Sequence, residues 1–307
     1  MRLREALEEY LKVRHALGFI LAEPSRLLHK FVAYAEQEGA SFITTDLALQ
    51  WAVQAGCRPA QRARCLSVVR KFAHYVSALD GRTEIPPHGL LPHRYRRVQP
   101  YLYTDEEIAC LVRAAKRLPA PLGLRAATYA TLLGLLAVTG MRVSEPVGLD
   151  RDDVDLNRGI LTVRRTKFGK SRILPLHAST LEALRRYVDL RDRLCPRVQT
   201  RSFFVSERGT RLTEWSVRWI FVHLSQQTGL RSPGESHGPR IHDLRHRFAV
   251  ETLLRWYRQD IDVERHLPEL SAYLGHVHVA DTYWYISAVP ELLRLATLRL
   301  EQRKEVR

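Results

Sequence analysis

Apolar residues recur at helical spacing through about the first 80 positions of the chain. Leu3, Leu7 and Leu11 lie about one turn apart, and the period resumes after Pro24, a residue that suits the first turn of a helix. Gly39 ends this second helix. Two further helices are predicted around Leu47, Leu49 and Val53, and around Leu66, Val69, Phe72, Ala73 and Val76. The pattern therefore predicts a small four-helix domain.

A proline-rich stretch interrupts the helical period after this domain. The prolines that exclude a regular helix or strand there are Pro86, Pro87, Pro92 and Pro100. We place a linker at 86–103, between an N-terminal domain at 1–85 and a second domain at 104–307.

The second domain is predicted to be helical with a few strands in its middle. It opens on a capping box, Thr104 with Glu107, and continues into a long apolar helix, 124–139, that Gly140 closes. Short strands are predicted at 154–156, 159–163 and 172–176, and further helices at 177–193, 213–228, 241–256 and 291–303. The fold class is therefore mainly α with a small antiparallel β-sheet (α+β).

Composition favours a partner with many negative charges. Lys and Arg total 48 against 33 Asp and Glu, which gives a formal net charge of +15 and exceeds what solubility requires. The apolar runs are far shorter than the roughly 20 residues that cross a bilayer. The four cysteines, Cys57, Cys65, Cys110 and Cys195, lack the C-x-x-C pairing of zinc sites. We expect a cytoplasmic, nucleoid-associated bacterial protein with reduced thiols and no membrane partner.

Two clusters of positive charge are candidate surfaces for a polyanion. One lies on the fourth helix and its approach, and comprises Arg58, Arg62, Arg64, Arg70 and Lys71. The other lies in the linker, at Arg94, Arg96 and Arg97. The helical cluster fits a phosphate-facing surface and a solvated helix face equally well.

Short motifs in the second domain carry residues suited to chemistry on a phosphate. The stretch G-M-R-V-S-E at 140–145 places Arg142 just past a buried helix. In H-D-L-R-H, His242 and Arg245 are three residues apart and share one face of a helix's first turn, where two cations can hold one anion. L-G-H ends at His276, and Tyr285 follows nine residues later.

Taken in order, these stretches resemble the tyrosine recombinase (phage integrase) family of site-specific DNA recombinases. The matching stretches are T-G-M-R-V-S-E, the hairpin T-K-F-G-K-S-R-I-L-P-L, H-D-L-R-H, L-G-H and a tyrosine at the right distance. Each is weak alone, whereas five in the family's order are specific. The resemblance covers 104–285 directly, and the N-terminal domain matches the family's SAM-like core-binding domain in size, helical content and position.

The resemblance implies a covalent mechanism. Tyr285 would attack a DNA phosphodiester and form a 3′-phosphotyrosyl bond, with release of a 5′-hydroxyl. Arg142 and Arg245 would clamp the non-bridging oxygens and, with the surrounding positive charge, favour the phenolate. His242 would act as base or phosphate donor, and His276 would donate to a non-bridging oxygen. Because the covalent intermediate keeps the bond energy, no cofactor, ATP or metal is required.

Two assignments stay open between neighbouring residues. In the family a lysine of the hairpin protonates the departing 5′ oxygen, and the alignment gives this role to Lys167, although Lys170 also flanks the turn. Tyr283 competes with Tyr285 for the nucleophile, because both fit one short helix and the spacing from His276 alone favours Tyr285.

Other polar residues of the motifs are expected to support the site. Glu145 is expected to orient Arg142, and Asp243, His246 and His278 are interpreted as structural.

Two other functions fit the same residues less well. A type IB topoisomerase-like enzyme would cleave and relax DNA without a partner site, and a noncatalytic DNA-binding regulator would form no covalent adduct. Strand exchange between two sites is the expected activity, in integration, excision or transposition of a mobile element, and double-stranded DNA with paired sites is the expected partner.

The end of the chain carries an apolar band, which comprises Leu292, Leu293, Leu295, Ala296, Leu298 and Leu300. It either packs on its own domain or, as the resemblance implies, reaches a neighbouring protomer of a tetramer that cleaves two strands at a time. We expect a monomer without DNA and a homo-tetramer on paired sites, with or without sister recombinases.

Overall fold

Four helices form the N-terminal unit, as the apolar spacing predicts: α1 (Leu3–Ala16), α2 (Ala22–Gln37), α3 (Thr45–Ala55) and α4 (Pro59–Ser77). The computed structural model describes residues 2–55, 58–91, 99–121, 123–164, 171–196, 200–235 and 238–305, and the chain divides into two units, Met1–Val98 and Gln99–Arg307. Core positions of the helical period, such as Leu7, Phe31 and Phe72, are fully buried.

Residues that follow α4 pack on the N-terminal unit. Arg70 donates hydrogen bonds to the backbone carbonyls of Pro86 (2.6 Å) and Pro87 (2.8 Å). These bonds hold the start of the proline-rich stretch against α4. The domain bounds 1–85, 86–103 and 104–307 stay a prediction.

The second unit is mostly helical. Its helices are α5 (Asp105–Lys116), α6 (Leu124–Thr139), α7 (Ser144–Gly148), a 3₁₀ turn (Arg151–Asp153), α8 (Ala178–Leu194), α9 (Glu214–Gln227), α10 (Asp243–Arg258), α11 (Val263–Leu274), α12 (Ala280–Ala288) and α13 (Pro290–Glu305). The predicted capping box is present, because the Thr104 hydroxyl accepts from the Glu107 amide (3.2 Å) and the Glu107 carboxylate accepts from the Thr104 amide (2.8 Å). No helix in the described part of the chain has the length and apolar character to cross a membrane.

A small antiparallel sheet lies among these helices, as predicted. Its strands are β1 (Val154–Asp155), β2 (Ile160–Val163) and β3 (Arg172–Pro175), in the order β1-β2-β3. Leu161 pairs with Leu174 across β2 and β3, and both side chains are fully buried. The predicted turn between these strands, with Lys167 and Lys170, lies outside the described residues, as do Cys57 and the linker arginines at 94–97.

Two apolar clusters stabilise the second unit. The larger joins α5, α6, α8 and α9 to the sheet, and the smaller joins α10, α11, α12 and α13. In the smaller cluster Leu292 of α13 is fully buried, and Arg258 forms an ion pair with Glu291 (3.0 Å). The terminal helix therefore packs on its own unit in this structure.

The sequence pattern does not predict α11. Pro268 stands in its interior and lacks the N–H that a helix requires there. The helix forms nevertheless, because Val263, Leu267, Leu270 and Leu274 make a buried stripe. Tertiary burial outweighs the local cost of the proline.

Candidate active site

Arg142 follows the sharp turn that ends α6. Gly140 makes this turn with a φ of +61°, and a Cβ there would lie 2.6 Å from Cδ1 of Phe248. A glycine is therefore required both by the left-handed backbone and by the close approach of α10. The turn directs the Arg142 side chain toward the end of α11, where its Nη2 donates to the carbonyl of Gly275 (2.9 Å).

Glu145 is the carboxylate that orders this part of the site. It accepts from the backbone amide (2.8 Å) and Nη1 (3.1 Å) of Arg142, as the sequence analysis expects. It also accepts two hydrogen bonds from Arg172 of β3, at 2.9 and 2.7 Å. Burial alone would raise the pKa of Glu145, but the hydrogen bonds from Arg172 and its positive charge hold that pKa below its ordinary value. The carboxylate is therefore ionised and links two arginines.

Arg245 is held by the ends of two helices. Its Nη1 donates to the carbonyl of Gly140 (2.8 Å) and its Nη2 to the carbonyl of Leu274 (2.6 Å). Carbonyls at a helix C-terminus carry partial negative charge, which favours a cation. Arg245 is 2% exposed, and this burial lowers its pKa to about 10, so it stays charged at neutral pH.

Gly275 lets Arg142 and Arg172 approach the end of α11. Its φ is +69°, and a Cβ there would lie 2.9 Å from Nη1 of Arg172 and 3.5 Å from Nη1 of Arg142. A side chain at this position has no room unless an arginine moves.

Three histidines line the same site and are neutral at pH 7. Burial and the positive charge of Arg245 lower the pKa of both His242 and His276 to about 4, and burial together with the charges of its neighbours lowers that of His246 to about 3. His242 and His246 contact each other edge to face, with ring centroids 4.8 Å apart. His242 is the most exposed of the three rings, so solvent weakens the shift of its pKa. Neutral imidazoles next to arginines can donate or accept hydrogen bonds at an anion without adding further charge.

We expect these histidines to make the protein less stable in acid. Their pKa values are lower in the folded chain than in the unfolded chain, so the unfolded chain binds more protons as pH falls from about 6.5 to 4, and the free energy of unfolding decreases in that window. His246→Phe keeps a ring but removes one such group. The melting temperature of the variant minus that of wild type should be about 4 °C larger at pH 4.5 than at pH 7.5. A difference in melting temperature that does not change with pH would contradict this interpretation.

The structure separates the two candidate nucleophiles on α12. Residues two apart on a helix point about 200° away from each other, so one helix cannot bring both tyrosines to the same site. Tyr285 is 2% exposed, and its ring lies 5.5 Å from that of His246 and 6.1 Å from that of His276. Tyr285 is also a neighbour of Arg245, and its phenolate form would raise the pKa of that guanidinium. Tyr283 is 50% exposed and lines a different cavity of about 210 Å³, under α13.

The site thus brings together Arg142, His242, Arg245, His276 and Tyr285, which the sequence analysis singles out. Lys167 lies outside the described residues. Sequence reasoning missed Arg172 and Thr282, whose hydroxyl lies 2.7 Å from Nδ1 of His276.

Two of the residues interpreted as structural have different surroundings. Asp243 is buried and forms an ion pair with Arg240 (2.7 Å), whereas His246 lies against Tyr285.

Within the described residues, no group of three or more His, Cys, Asp or Glu side chains is placed to hold a metal ion.

Comparison with known proteins places this site in context. The model of the phage integrase family matches residues 102–291. The putative integrase/recombinase y4rB of Sinorhizobium fredii (strain NBRC 101917 / NGR234) is 48% identical over 309 residues, covering 99% of this chain and 98% of the relative. Tyrosine recombinase XerD of Mycobacterium tuberculosis (strain ATCC 25618 / H37Rv) is 34% identical over 239 residues, covering 76% of this chain and 71% of XerD.

A solved structure has the same fold. The Tn1549 transposon integrase in complex with transposon right end DNA superposes with a TM-score of 0.70 at 15% identity, and the match covers 98% of this chain and 99% of that chain. At this identity the likeness establishes the fold.

Proposed function

Since this chain belongs to the phage integrase family and is a tyrosine recombinase, an enzyme that breaks and rejoins DNA, we propose that Tyr285 is its nucleophile. Arg142, Arg245, His242 and His276 then bind the phosphate that Tyr285 attacks. The relatives are named as integrases and recombinases, so neither the topoisomerase-like enzyme nor the noncatalytic regulator is favoured.

One observation carries this proposal. The guanidinium groups of Arg142 and Arg172 meet at Gly275 and share the carboxylate of Glu145. Arg245 bonds to backbone carbonyls on either side of this site, and the buried Tyr285 is its neighbour. One negative charge against three positive charges leaves an excess that suits an anion. A phosphodiester that gains charge as a nucleophile attacks is such an anion.

The chemistry follows from these positions. The phenolic oxygen of Tyr285 attacks phosphorus, and the bond between phosphorus and the 5′ oxygen breaks. The phosphate then joins the tyrosine to the 3′ end of the cut strand. The two forked arginines donate to the non-bridging oxygens as their charge increases. His276 adds a donor, and the more exposed His242 acts as base or phosphate donor. Reversal of these steps by a 5′-hydroxyl of another strand rejoins the DNA.

A nicked suicide substrate tests the proposal directly. Cleavage next to the nick releases a short fragment that diffuses away, so the covalent complex accumulates. We expect wild-type protein to migrate with the 3′ end of the cut strand on a denaturing gel. Binding without any adduct would contradict the proposed function and favour the regulator.

We expect Lys167 to supply the proton that the departing 5′ oxygen requires. Lys167→Ala should slow cleavage of ordinary DNA strongly, whereas a substrate with a 5′-thiolate leaving group, which requires little protonation, should restore much of the rate. Lys170→Ala is the matched control and should behave as wild type. Rescue by the thiolate in Lys170→Ala, and not in Lys167→Ala, would transfer the role to Lys170.

The N-terminal unit is proposed to hold double-stranded DNA through phosphate contacts. A cavity of about 580 Å³ beside α4 is lined in part by Arg14, Arg70, Lys71, His74 and His88. Not all of the predicted basic cluster is available, because Arg70 bonds to proline carbonyls and Arg64 forms an ion pair with Glu23. The remaining cations favour binding that weakens steeply with salt.

Assembly into a tetramer on paired DNA sites is proposed to use α13. In this structure the helix packs on its own unit, yet Leu293 and Leu298 are 53% and 43% exposed. Truncation after Ser287 would also remove the buried Leu292, so substitution of the two exposed leucines is the sharper test.

We expect the double variant Leu293→Glu, Leu298→Glu to bind a single site as wild type does but to lose tetramers and recombination, because the charges prevent an apolar contact between protomers. Light scattering of the protein with two DNA sites measures this. Leu17→Glu, at an exposed leucine of the N-terminal unit, is the matched control. Normal tetramers in the double variant would refute the role of these two leucines.

A further inference from the structure

Thr282 makes an unusual hydrogen bond for a threonine in a helix. Helical threonines commonly donate to the carbonyl four residues earlier, and Thr139, Thr252 and Thr297 of this chain do so. The hydroxyl of Thr282 instead lies 2.7 Å from Nδ1 of His276. Thr282 is fully buried, so water does not compete for this contact.

The direction of this hydrogen bond decides what His276 presents to the active site. A neutral imidazole carries one N–H, on either Nδ1 or Nε2. If Nδ1 donates to the threonine, Nε2 presents a lone pair, which repels a phosphate oxygen. If the threonine hydroxyl donates to Nδ1, the hydrogen lies on Nε2 and is available to the phosphate.

Burial and the positive charges around His276 keep the ring neutral, so this choice matters at pH 7. Burial, then the guanidinium groups of Arg245 and Arg142, lower its pKa to about 4, and Arg172 acts in the same direction. The negative charge of Asp281 raises the pKa of His276, but the net shift stays downward. A protonated ring would donate from both nitrogens, whereas the neutral ring donates from one.

We propose that Thr282 is a positioning residue, which donates its hydroxyl hydrogen to Nδ1 of His276 and thereby keeps the ring hydrogen on Nε2, facing the scissile phosphate. This inference rests on the proposed function of His276. It also joins two parts of the site, because Thr282 and Tyr285 lie three residues apart on one face of α12. The phosphate donor is therefore set correctly only while the helix that carries the nucleophile is docked.

The experiment compares Thr282→Val with Thr282→Ser. Valine has nearly the shape of threonine but no hydroxyl, whereas serine keeps the hydroxyl. Single-turnover cleavage of the suicide substrate at pH 7.5 should be about 10-fold slower in Thr282→Val and within about threefold of wild type in Thr282→Ser. Binding of intact DNA and the melting temperature serve to detect simple misfolding, which the serine variant also controls for.

A second measurement determines the tautomer of His276 and does not depend on DNA cleavage. In protein with ¹⁵N-labelled histidine, the two ring nitrogens have distinct NMR shifts when one carries hydrogen, and the signals that disappear in His276→Gln identify residue 276. We expect Nε2–H in wild type and in Thr282→Ser, and a mixture of tautomers in Thr282→Val.

The outcomes separate this inference from the proposed function. Nδ1–H in wild type, or cleavage by Thr282→Val at the wild-type rate, would overturn the role of Thr282 while the recombinase site stands. An equal loss in Thr282→Ser and Thr282→Val would also overturn it. A wild-type protein that forms no adduct would instead contradict the proposed function itself.

Discussion

Tyr285→Phe is expected to abolish covalent attachment to DNA and to leave DNA binding within about twofold of wild type. The substitution removes one oxygen, the atom that would bond to phosphorus, and keeps the ring that packs against His246, His276 and Trp284. Because the ring is part of the apolar cluster of α10 to α13, phenylalanine should preserve the fold as well. Denaturing gels of the suicide substrate measure the adduct, and gel shifts measure binding.

Tyr283→Phe is the matched control on the same helix. Its side chain is half-exposed and lines the cavity under α13, so the loss of its hydroxyl should leave adduct formation unchanged. The reverse result, adduct from Tyr285→Phe and none from Tyr283→Phe, would show that the nucleophile has been assigned to the wrong tyrosine.

Arg142→Ala and Arg245→Ala are each expected to slow cleavage by about 100-fold or more. Each would remove a donor that strengthens its bonds as charge develops on the phosphate, the situation in which loss of one donor is most costly. In the structure both side chains are anchored through carbonyls, Arg142 on Gly275 and Arg245 on Gly140 and Leu274. Each terminal nitrogen has two hydrogens, so an arginine can bond to a carbonyl and still donate to an anion.

This anchoring makes lysine a poor replacement. A single ammonium nitrogen cannot replace the two anchoring bonds of either arginine, to Gly275 and Glu145 for Arg142 and to two carbonyls for Arg245, and also offer a planar pair of donors to the phosphate. Arg142→Lys and Arg245→Lys should therefore lose nearly as much rate as the alanine variants, and the charge they retain should keep the fold and DNA binding intact.

Arg255→Ala serves as the matched control, because Arg255 is an exposed arginine on the same helix as Arg245. Single-turnover rates on the suicide substrate give the comparison. Wild-type rates in the lysine variants would show that charge alone is sufficient and would contradict the forked geometry.

Much of the fold could be predicted because its signals are local. The four N-terminal helices, the Thr104 capping box and the end of α6 at Gly140 each follow from residues within one or two turns. The helix α11 could not be predicted in this way, because its stability depends on burial against distant elements and its own Pro268 argues against it. The sheet was predictable from its alternation, with Leu161 and Leu174 on the buried side.

The site was predictable where the motifs name its residues and not where contacts cross the chain. Arg172 bonds to Glu145 over a separation of 27 residues, and the hairpin motif that contains it directs attention to lysines instead. Thr282 is six residues from His276 and three from Tyr285, so its place within the run T-Y-W-Y was the signal available. The different surroundings of Tyr283 and Tyr285 could be seen only in the folded chain, where one ring is buried beside His246 and the other is half-exposed.

The lack of room at Gly275 has a consequence for gene copies that accumulate mutations. Every missense change of a glycine codon adds a Cβ, and at this position the backbone conformation disfavours one and the nearest guanidinium nitrogen lies 2.9 Å from where it would be. Gly275 caps the end of α11, and the atoms nearest to the added Cβ belong to arginines, so we expect such a change to displace the arginines and to leave the helices packed. A gene copy with a missense substitution at Gly275 should encode a protein that folds but no longer cuts DNA.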